Sequence, residues 1–226
     1  MPLNPAELDA IALTMALAST TTVILLLLGT PLAWWLARHR GSFAAFIEAI
    51  VALPLVLPPT VLGFYLLLAL APDAPLGKTW QALTDQQLAF SFSALVIGSV
   101  IYSLPFVVQP LQAAFQRVPG GMLQAAATLG ATPFDQFRSI ILPLTRRSFI
   151  AAAVLGFAHT VGEFGVVLMI GGNIPGETQV LSIALYDQVE TLKFAEAHRL
   201  AAGLLVFSLA LLFFVYRKGA GWRVNH

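Results

Sequence analysis

Residues 124–143 read Gln-Ala-Ala-Ala-Thr-Leu-Gly-Ala-Thr-Pro-Phe-Asp-Gln-Phe-Arg-Ser-Ile-Ile-Leu-Pro, and this stretch decides how the rest of the chain is read. It sits in a 30-residue break (118–147) between hydrophobic runs and predicts two short helices. Gly120-Gly121 opens it, and Met122 to Leu129 is rich in Ala and Leu, hence helix-prone. Gly130 stands where a helix end calls for a residue able to take positive φ. Thr132 is placed to cap the second helix, with Pro133 at its first position and Asp135 near the positive end of its dipole. Phe134, Phe137 and Ile141 recur at spacings of three and four and give that helix one apolar stripe. Arg117, Arg138, Arg146 and Arg147 surround the stretch, as expected of a cytosolic segment. An apolar knob in water needs a partner to cover it.

The spacing also carries a resemblance. Gln124-Ala125-Ala126, three residues, Gly130, nine residues, then Ile140-Ile141-Leu142-Pro143 is similar to the pattern E-A-A-x3-G-x9-I-x-L-P of the permease subunits of binding-protein-dependent ABC importers. The resemblance implies that this segment, including Ala131, Thr132 and Pro133, receives an ATPase subunit. One departure is visible: Gln124 stands where the family has Glu, which leaves an amide in place of a charge.

Composition agrees with a membrane protein. Of 226 residues 10% are charged and 58% hydrophobic, with a mean hydropathy of +0.83, far from the soluble norm. The net charge of +1 rests on basic residues in short loops and gives no reason to invoke nucleic acid. With no cysteine, disulfides and thiolate metal sites are excluded.

Working outward, one membrane domain over 10–216 is expected, with five spans, or six if the segment 178–193 enters the bilayer. The first, 10–37, has no charge and exceeds the roughly 20 residues a bilayer requires. Glu7 and Asp9 precede it and Arg38, His39 and Arg40 follow, the reverse of a secretory signal, so it reads as an uncleaved span with its N-terminus outside. The others are 43–70, 89–116, 148–170 and 200–216. Nine basic residues then fall inside (Arg38, Arg40, Arg117, Arg138, Arg146, Arg147, Arg217, Lys218, Arg223) and three outside (Lys78, Lys193, Arg199). This asymmetry follows the positive-inside rule and places the C-terminus in the cytosol.

Several places inside the spans break the apolar pattern. The second carries Pro54, Pro58, Pro59 and Thr60, and the third Ser103, Pro105, Gln109 and Pro110. Each proline removes a backbone donor that hydrocarbon cannot replace. Both spans are therefore expected to be broken, either as structural kinks or as the lining of a passage. The fourth holds His159, Thr160 and Glu163, with the His and Glu four apart and so on one helix face. Three readings of that pair stay open: a metal or acid–base site, although no third ligand lies at metal spacing; a lock between helices or between two copies; and a satisfied structural pair.

The run Glu163-Phe164-Gly165, the segment 55–61 and the outer run Gly172-Asn173-Ile174-Pro175-Gly176-Glu177-Thr178 together resemble the inner-membrane permeases of molybdate ABC importers, over about residues 10–215. The resemblance implies an all-α type I importer permease in the inner membrane. Two copies would form the passage, a cytosolic ATPase subunit carrying ATP and Mg would dock on 118–147, and a periplasmic binding protein would deliver molybdate. Read from the residues, 173–176 is a turn; contact of Asn173, Pro175 and Gly176 with the binding protein is the functional alternative. No Gly-x-x-x-x-Gly-Lys-Ser/Thr loop occurs, so no cofactor is expected in this chain itself. No Lys or Arg lies in a span, so an oxyanion, whether molybdate, tungstate or sulfate, would pass along amides and hydroxyls (Thr60, Ser103, Gln109, Thr160) without being trapped. Two rival readings use the same acid: an intramembrane enzyme built on His159 and Glu163, and a proton-driven secondary transporter. Neither explains the spaced motif at 124–143.

Overall fold

Hydrocarbon offers no partner to a backbone N–H or C=O, so a chain this apolar crosses a bilayer as helices or as a closed barrel. The computed structural model describes residues 4–220, and every element within them is helical. Helix α1 spans Pro5–Arg38, α2 Ser42–Ala52, α3 Pro59–Leu70, α4 Pro75–Thr84 and α5 Phe92–Gln116. Next come α6 (Gly120–Thr128), α7 (Pro133–Gln136), α8 (Leu142–Gly162), α9 (Gly165–Gly171), α10 (Leu181–Glu190) and α11 (Phe194–Ala220). Arg223, counted above with the inner charges, lies outside the described residues.

Among the described residues four helical runs are long and apolar enough to cross a membrane: Pro5–Arg38, Phe92–Gln116, Pro133–Gly162 and Phe194–Phe213. The fifth is a bent pair, Ser42–Leu55 and Pro59–Leu70, which meet at 110°. The cause lies in the sequence. Pro58 and Pro59 carry no N–H, so the carbonyls of Pro54 and Leu55 lose the donors a continuous helix would give them. The corner is sharp, and Val56 stands 82% exposed at its tip.

The second broken span is not the one expected. Pro105 and Pro110 lie inside an uninterrupted α5. They are held there because α5 is the central helix, with Val107, Val108, Leu111 and Phe115 fully buried against α1 and α8, and packing on several sides outweighs one missing hydrogen bond per proline. The break falls instead in the fourth span. There α8 stops at Gly162, Glu163 is extended (φ −68, ψ 133), and α9 begins at Gly165. Two glycines flanking the break weaken the helix, and the Ser182 hydroxyl donates to the freed Glu163 carbonyl at 2.6 Å.

Two clusters make the core. Leu25, Ala33, Leu36, Val107, Val108, Leu111, Phe115 and Ala152 join α1, α5 and α8. Leu17, Leu95, Val166, Val167, Ile170 and Ile183 join α5 and α9 to α1 and α10, with Leu62 and Leu66 of α3 packed against them. Helices approach closely where side chains are small, as apolar packing in lipid requires. A Cβ on Gly63 would lie 2.7 Å from Met169 Cβ and 3.2 Å from Val166 Cα, so α3 and α9 touch backbone to backbone.

The end of the bundle that carries Glu7 is tied by polar contacts. Asn4 and Glu7 form a capping box at the start of α1, so the helix begins five residues before the apolar run does. The Glu7 carboxylate, 3% exposed, accepts from Arg199 at 3.0 Å and from Gln188 at 3.1 Å. The Leu181 N–H donates to Thr14 Oγ1 at 2.8 Å. Helix α10 is thus pinned to α1 and α11 and, at 10 residues, is far shorter than the roughly 20 needed to cross.

The close approach of α3 and α9 has a measurable cost if violated. Gly63→Val overpacks the contact, and overpacking typically costs about 1–3 kcal/mol. The expected result is a fall of several degrees in the thermal unfolding midpoint in detergent. Gly203→Ala, where nothing lies within 4 Å of the new Cβ, leaves the midpoint unchanged or slightly raised.

Candidate functional site

The 120–141 region is built as a rigid elbow. Helix α6 ends in a paired turn: the Gly130 N–H donates to the Ala127 carbonyl and the Ala131 N–H to the Ala126 carbonyl, both at 3.0 Å. This pattern requires a left-handed residue, and Gly130 has φ +84. Thr132 caps α7: the Asp135 N–H donates to its hydroxyl, while the Thr132 N–H and hydroxyl both donate to the Asp135 carboxylate, at 3.0 and 2.6 Å. Gln136 Nε2 closes the corner on the Ala131 carbonyl at 3.2 Å.

One expectation changes here. The second short helix is not separate: α7 passes through a π-helical turn, Phe137–Ile141, directly into α8. Ile140, Leu142 and Pro143 are therefore the root of a membrane-length helix. The apolar stripe also divides. Ile141 is buried and Phe137 packs against the α1–α5–α8 core, while Phe134 is 69% exposed. With Leu129 at 88% and Met122 at 50%, Phe134 presents an uncovered apolar knob. Gln124, Ala125 and Thr132 are exposed beside it, and Ala126 and Ala131 are half-buried.

The second site lies where the two broken spans meet. Pro59 and Thr60 at the start of α3, Tyr102 of α5, and His159, Glu163 and Gly165 at the α8–α9 break line a cavity of about 500 Å³. Gly165 is needed there, since a Cβ would fall 2.7 Å from Pro59 Cβ. His159 and Glu163 share this cavity, with Glu163 at the residue where α8 ends. His159 bonds to α5 instead: its Nδ1 is 2.8 Å from Ser103 Oγ, which is 3.1 Å from Thr160 Oγ1. Thr160 Oγ1 donates to the Gly156 carbonyl at 3.0 Å. Since each hydroxyl has one proton, Ser103 donates to Thr160 and accepts from His159 Nδ1–H. In the neutral ring this leaves Nε2 as an acceptor. Phe106 stacks on the imidazole at 3.9 Å and Tyr102 lies at 4.9 Å.

Glu163 is 3% exposed. Ser99 lies beside its carboxyl, yet neither the Ser99 hydroxyl nor either carboxyl oxygen makes a hydrogen bond. Among the described residues no group of three His, Cys, Asp or Glu side chains could hold a metal ion. The lining includes no Lys or Arg. Of the other residues expected here, Ser103 and Thr160 stand behind the histidine, Pro58 stands at the corner immediately before α3, and Gln109 is exposed on α5 outside the cavity. Tyr102 and Phe106 were not anticipated. Their spacing of four put them on one face of α5, but nothing in the sequence said that this face meets His159.

At the opposite end, residues 172–178 form a closed turn. Gly176 takes φ +78, the Ile174 carbonyl accepts from the N–H groups of Glu177, Thr178 and Gln179, and buried Thr178 donates to the Gly171 carbonyl at 2.7 Å. The Asn173 amide is engaged within the fold, accepting from Gln179 at 2.6 Å and donating to Asp187 at 3.3 Å. Pro175 and Gly176 stand exposed at the tip.

Comparison with known proteins adds an independent line. Residues 29–218 match the family model described as binding-protein-dependent transport system inner membrane component. The chain is 56% identical over 216 residues to the molybdenum transport system permease protein ModB of Azotobacter vinelandii, covering 96% of each. It is 34% identical to the protein of the same name from Haemophilus influenzae, covering 91% of this chain and 88% of that one. A solved bacterial ABC transporter involved in the import of the acidic polysaccharide alginate superposes with a TM-score of 0.77 at 16% identity, over 99% of this chain and 82% of that one, which shows a shared fold.

The unpartnered carboxyl yields a test of the three readings of Glu163. A buried polar group without a partner costs about 1–3 kcal/mol. Glu163→Met, similar in volume, is therefore expected to keep or raise the thermal unfolding midpoint of the purified protein. A fall of several degrees would mean that a second copy supplies the missing donor and that the residue is a lock.

Proposed function

Because the chain belongs to the family of binding-protein-dependent transport system inner membrane components, we propose that it is the permease subunit of an ATP-driven ABC importer that passes molybdate across the inner membrane. The observation that carries the substrate is the 56% identity to a molybdenum transport permease over 96% of both chains. The fold carries the rest: four membrane-length helical runs, one bent pair and an elbow whose apolar knob is uncovered.

The proposed topology puts the arginine-rich ends of α1, α5 and α8 and the C-terminus in the cytosol, and Glu7, α4 and α10 outside. A cytosolic ATPase subunit, which binds ATP and Mg, covers Met122, Leu129 and Phe134. Gln124, at the exposed face of α6, meets it with an amide. A second copy of this chain completes the passage. A periplasmic binding protein sits on the outer face near Pro175 and Gly176, and membrane lipid surrounds the bundle.

The mechanism follows from the connections. Helix α7 runs into α8 without a loop, so closure of the ATPases on ATP moves the elbow and the foot of α8 together. Helix α8 ends at the break beside Thr60, His159 and Glu163, so its displacement changes the cavity between the broken spans. The corner at Val56–Pro59 and the break at 162–165 are the movable parts. The orphan carbonyls of the corner face protein or a wet passage, since lipid cannot satisfy them. A dianion crossing there meets a hydroxyl from Thr60, the imidazole of His159 and no Lys or Arg, which favours transit over capture. Selectivity among molybdate, tungstate and sulfate then rests mainly on the binding protein that delivers the ion. Neither a chain working alone as an enzyme nor a proton-driven carrier requires the elbow.

The test is ATPase activity of the chain assembled with its ATPase subunit in lipid, with molybdate-loaded binding protein added. Gly130→Asp places a β-carbon at φ +84 and a charge on the knob. It is expected to reduce stimulation by at least tenfold while the purified chain keeps its thermal unfolding midpoint within a few degrees. Native-like stimulation in the variant would remove the elbow from the coupling path.

A further inference from the structure

A second cavity lies away from both sites. It occupies about 260 Å³ between the end of α1, the first turns of α2 and the end of α5. Small residues make the room: Ala37, Gly41, Ala44 and Ala45 line it, and Gly41 takes φ +119 at the start of α2. Its polar lining is of both signs, Arg40 and His39 on one side and Glu48 on the other, with Gln112 and Gln116 of α5 beneath.

Two features define what such a space can hold. The first is depth. Trp34 and Trp35 lie one turn before it in α1; Arg38 sits over the Trp34 ring at 4.2 Å and His39 stacks on Trp35 at 4.7 Å. Tryptophans with basic partners at a helix end mark the level of lipid headgroups. The second is charge. Glu48 receives one hydrogen bond, from Gln112 Nε2 at 3.2 Å, and among the described residues neither Glu48 nor Arg40 makes an ion pair. A carboxylate and a guanidinium face one space without meeting. The outer face of α2 continues from it with exposed Phe43, Phe46 and Ile50 at helical spacing, a surface for acyl chains.

We propose that this cavity binds the headgroup of an aminophospholipid, with the primary ammonium on Glu48 and the phosphate on Arg40. A primary ammonium is a compact donor that can hydrogen-bond to the carboxylate; a trimethylated one has no N–H to donate. An anionic headgroup without an amine meets the Glu48 charge and is disfavoured. The lipid fixes the α1–α2 corner, the connection that sets the bent span against α1.

The test uses the full-length protein in nanodiscs of equal parts phosphatidylethanolamine, phosphatidylcholine and phosphatidylglycerol, followed by native mass spectrometry of the retained lipid. The expected result is at least fivefold enrichment of phosphatidylethanolamine over phosphatidylcholine. Glu48→Gln abolishes that preference and leaves total phospholipid retention, whereas Arg40→Gln lowers retention of all three. Ala45→Leu fills the cavity without altering either charge and also abolishes the preference, and thermal unfolding checks that each variant is folded. Equal enrichment in the native protein and Glu48→Gln overturns the proposal, as does retention of phosphatidylglycerol above the amine lipid, which would leave only the attraction of a basic loop.

Discussion

A backbone carbonyl inside a bilayer has to find a donor in the protein or in trapped water, and this constraint shapes the bundle more than any single contact does. Helices α1, α5, α8 and α11 meet it by staying continuous. The two interrupted spans meet it differently. At the α8–α9 break Ser182 reaches across from α10 to take the Glu163 carbonyl. At the α2–α3 corner the Pro58-Pro59 pair leaves two carbonyls without helical donors, and no side chain among the described residues donates to them. The first break is braced and the second is open. Both border one cavity, so polar backbone and polar side chains gather at a single level of an otherwise apolar chain.

The bracing depends on α10 being held in place. Glu7, Gln188 and the half-buried Arg199 form one polar group across α1, α10 and α11, and Thr14 adds a bond to the first turn of α10. A buried charge pair contributes little net stability but is costly to break, so its effect here is to fix position. With α10 fixed, Ser182 stays within reach of the break, and the end of α8 keeps its aim at the cavity.

Much of this was legible in the sequence. The hydrophobic runs gave an all-helical membrane bundle, and the capping residues Thr132, Pro133 and Asp135 and the turn residue Gly130 fell where their chemistry places them. What misled was treating prolines alone as breakers. Pro105 and Pro110 sit in a helix buried on most sides, where packing overrides the lost bonds. Gly162 and Gly165, with less intrinsic power to stop a helix, do so because a hydroxyl from elsewhere rewards the break. That hydroxyl is nineteen residues away, beyond any local pattern. The partner of His159 was hidden for the same reason: Ser103 is fifty-six residues distant. Periodicity reports which residues share a face and not which faces meet.

The π turn at Phe137–Ile141 has a consequence for the phase of the helix. Such a turn holds one residue more than an α-turn, so every side chain before it is advanced by about 100° relative to an unbroken α-helix. The face that Phe134 and Asp135 present is therefore set independently of the face that α8 turns to the core. Winding the same residues as a regular α-helix would swing the exposed end of the elbow through that angle, with the buried packing of α8 left in place. The direction in which the elbow points is written in the length of this turn.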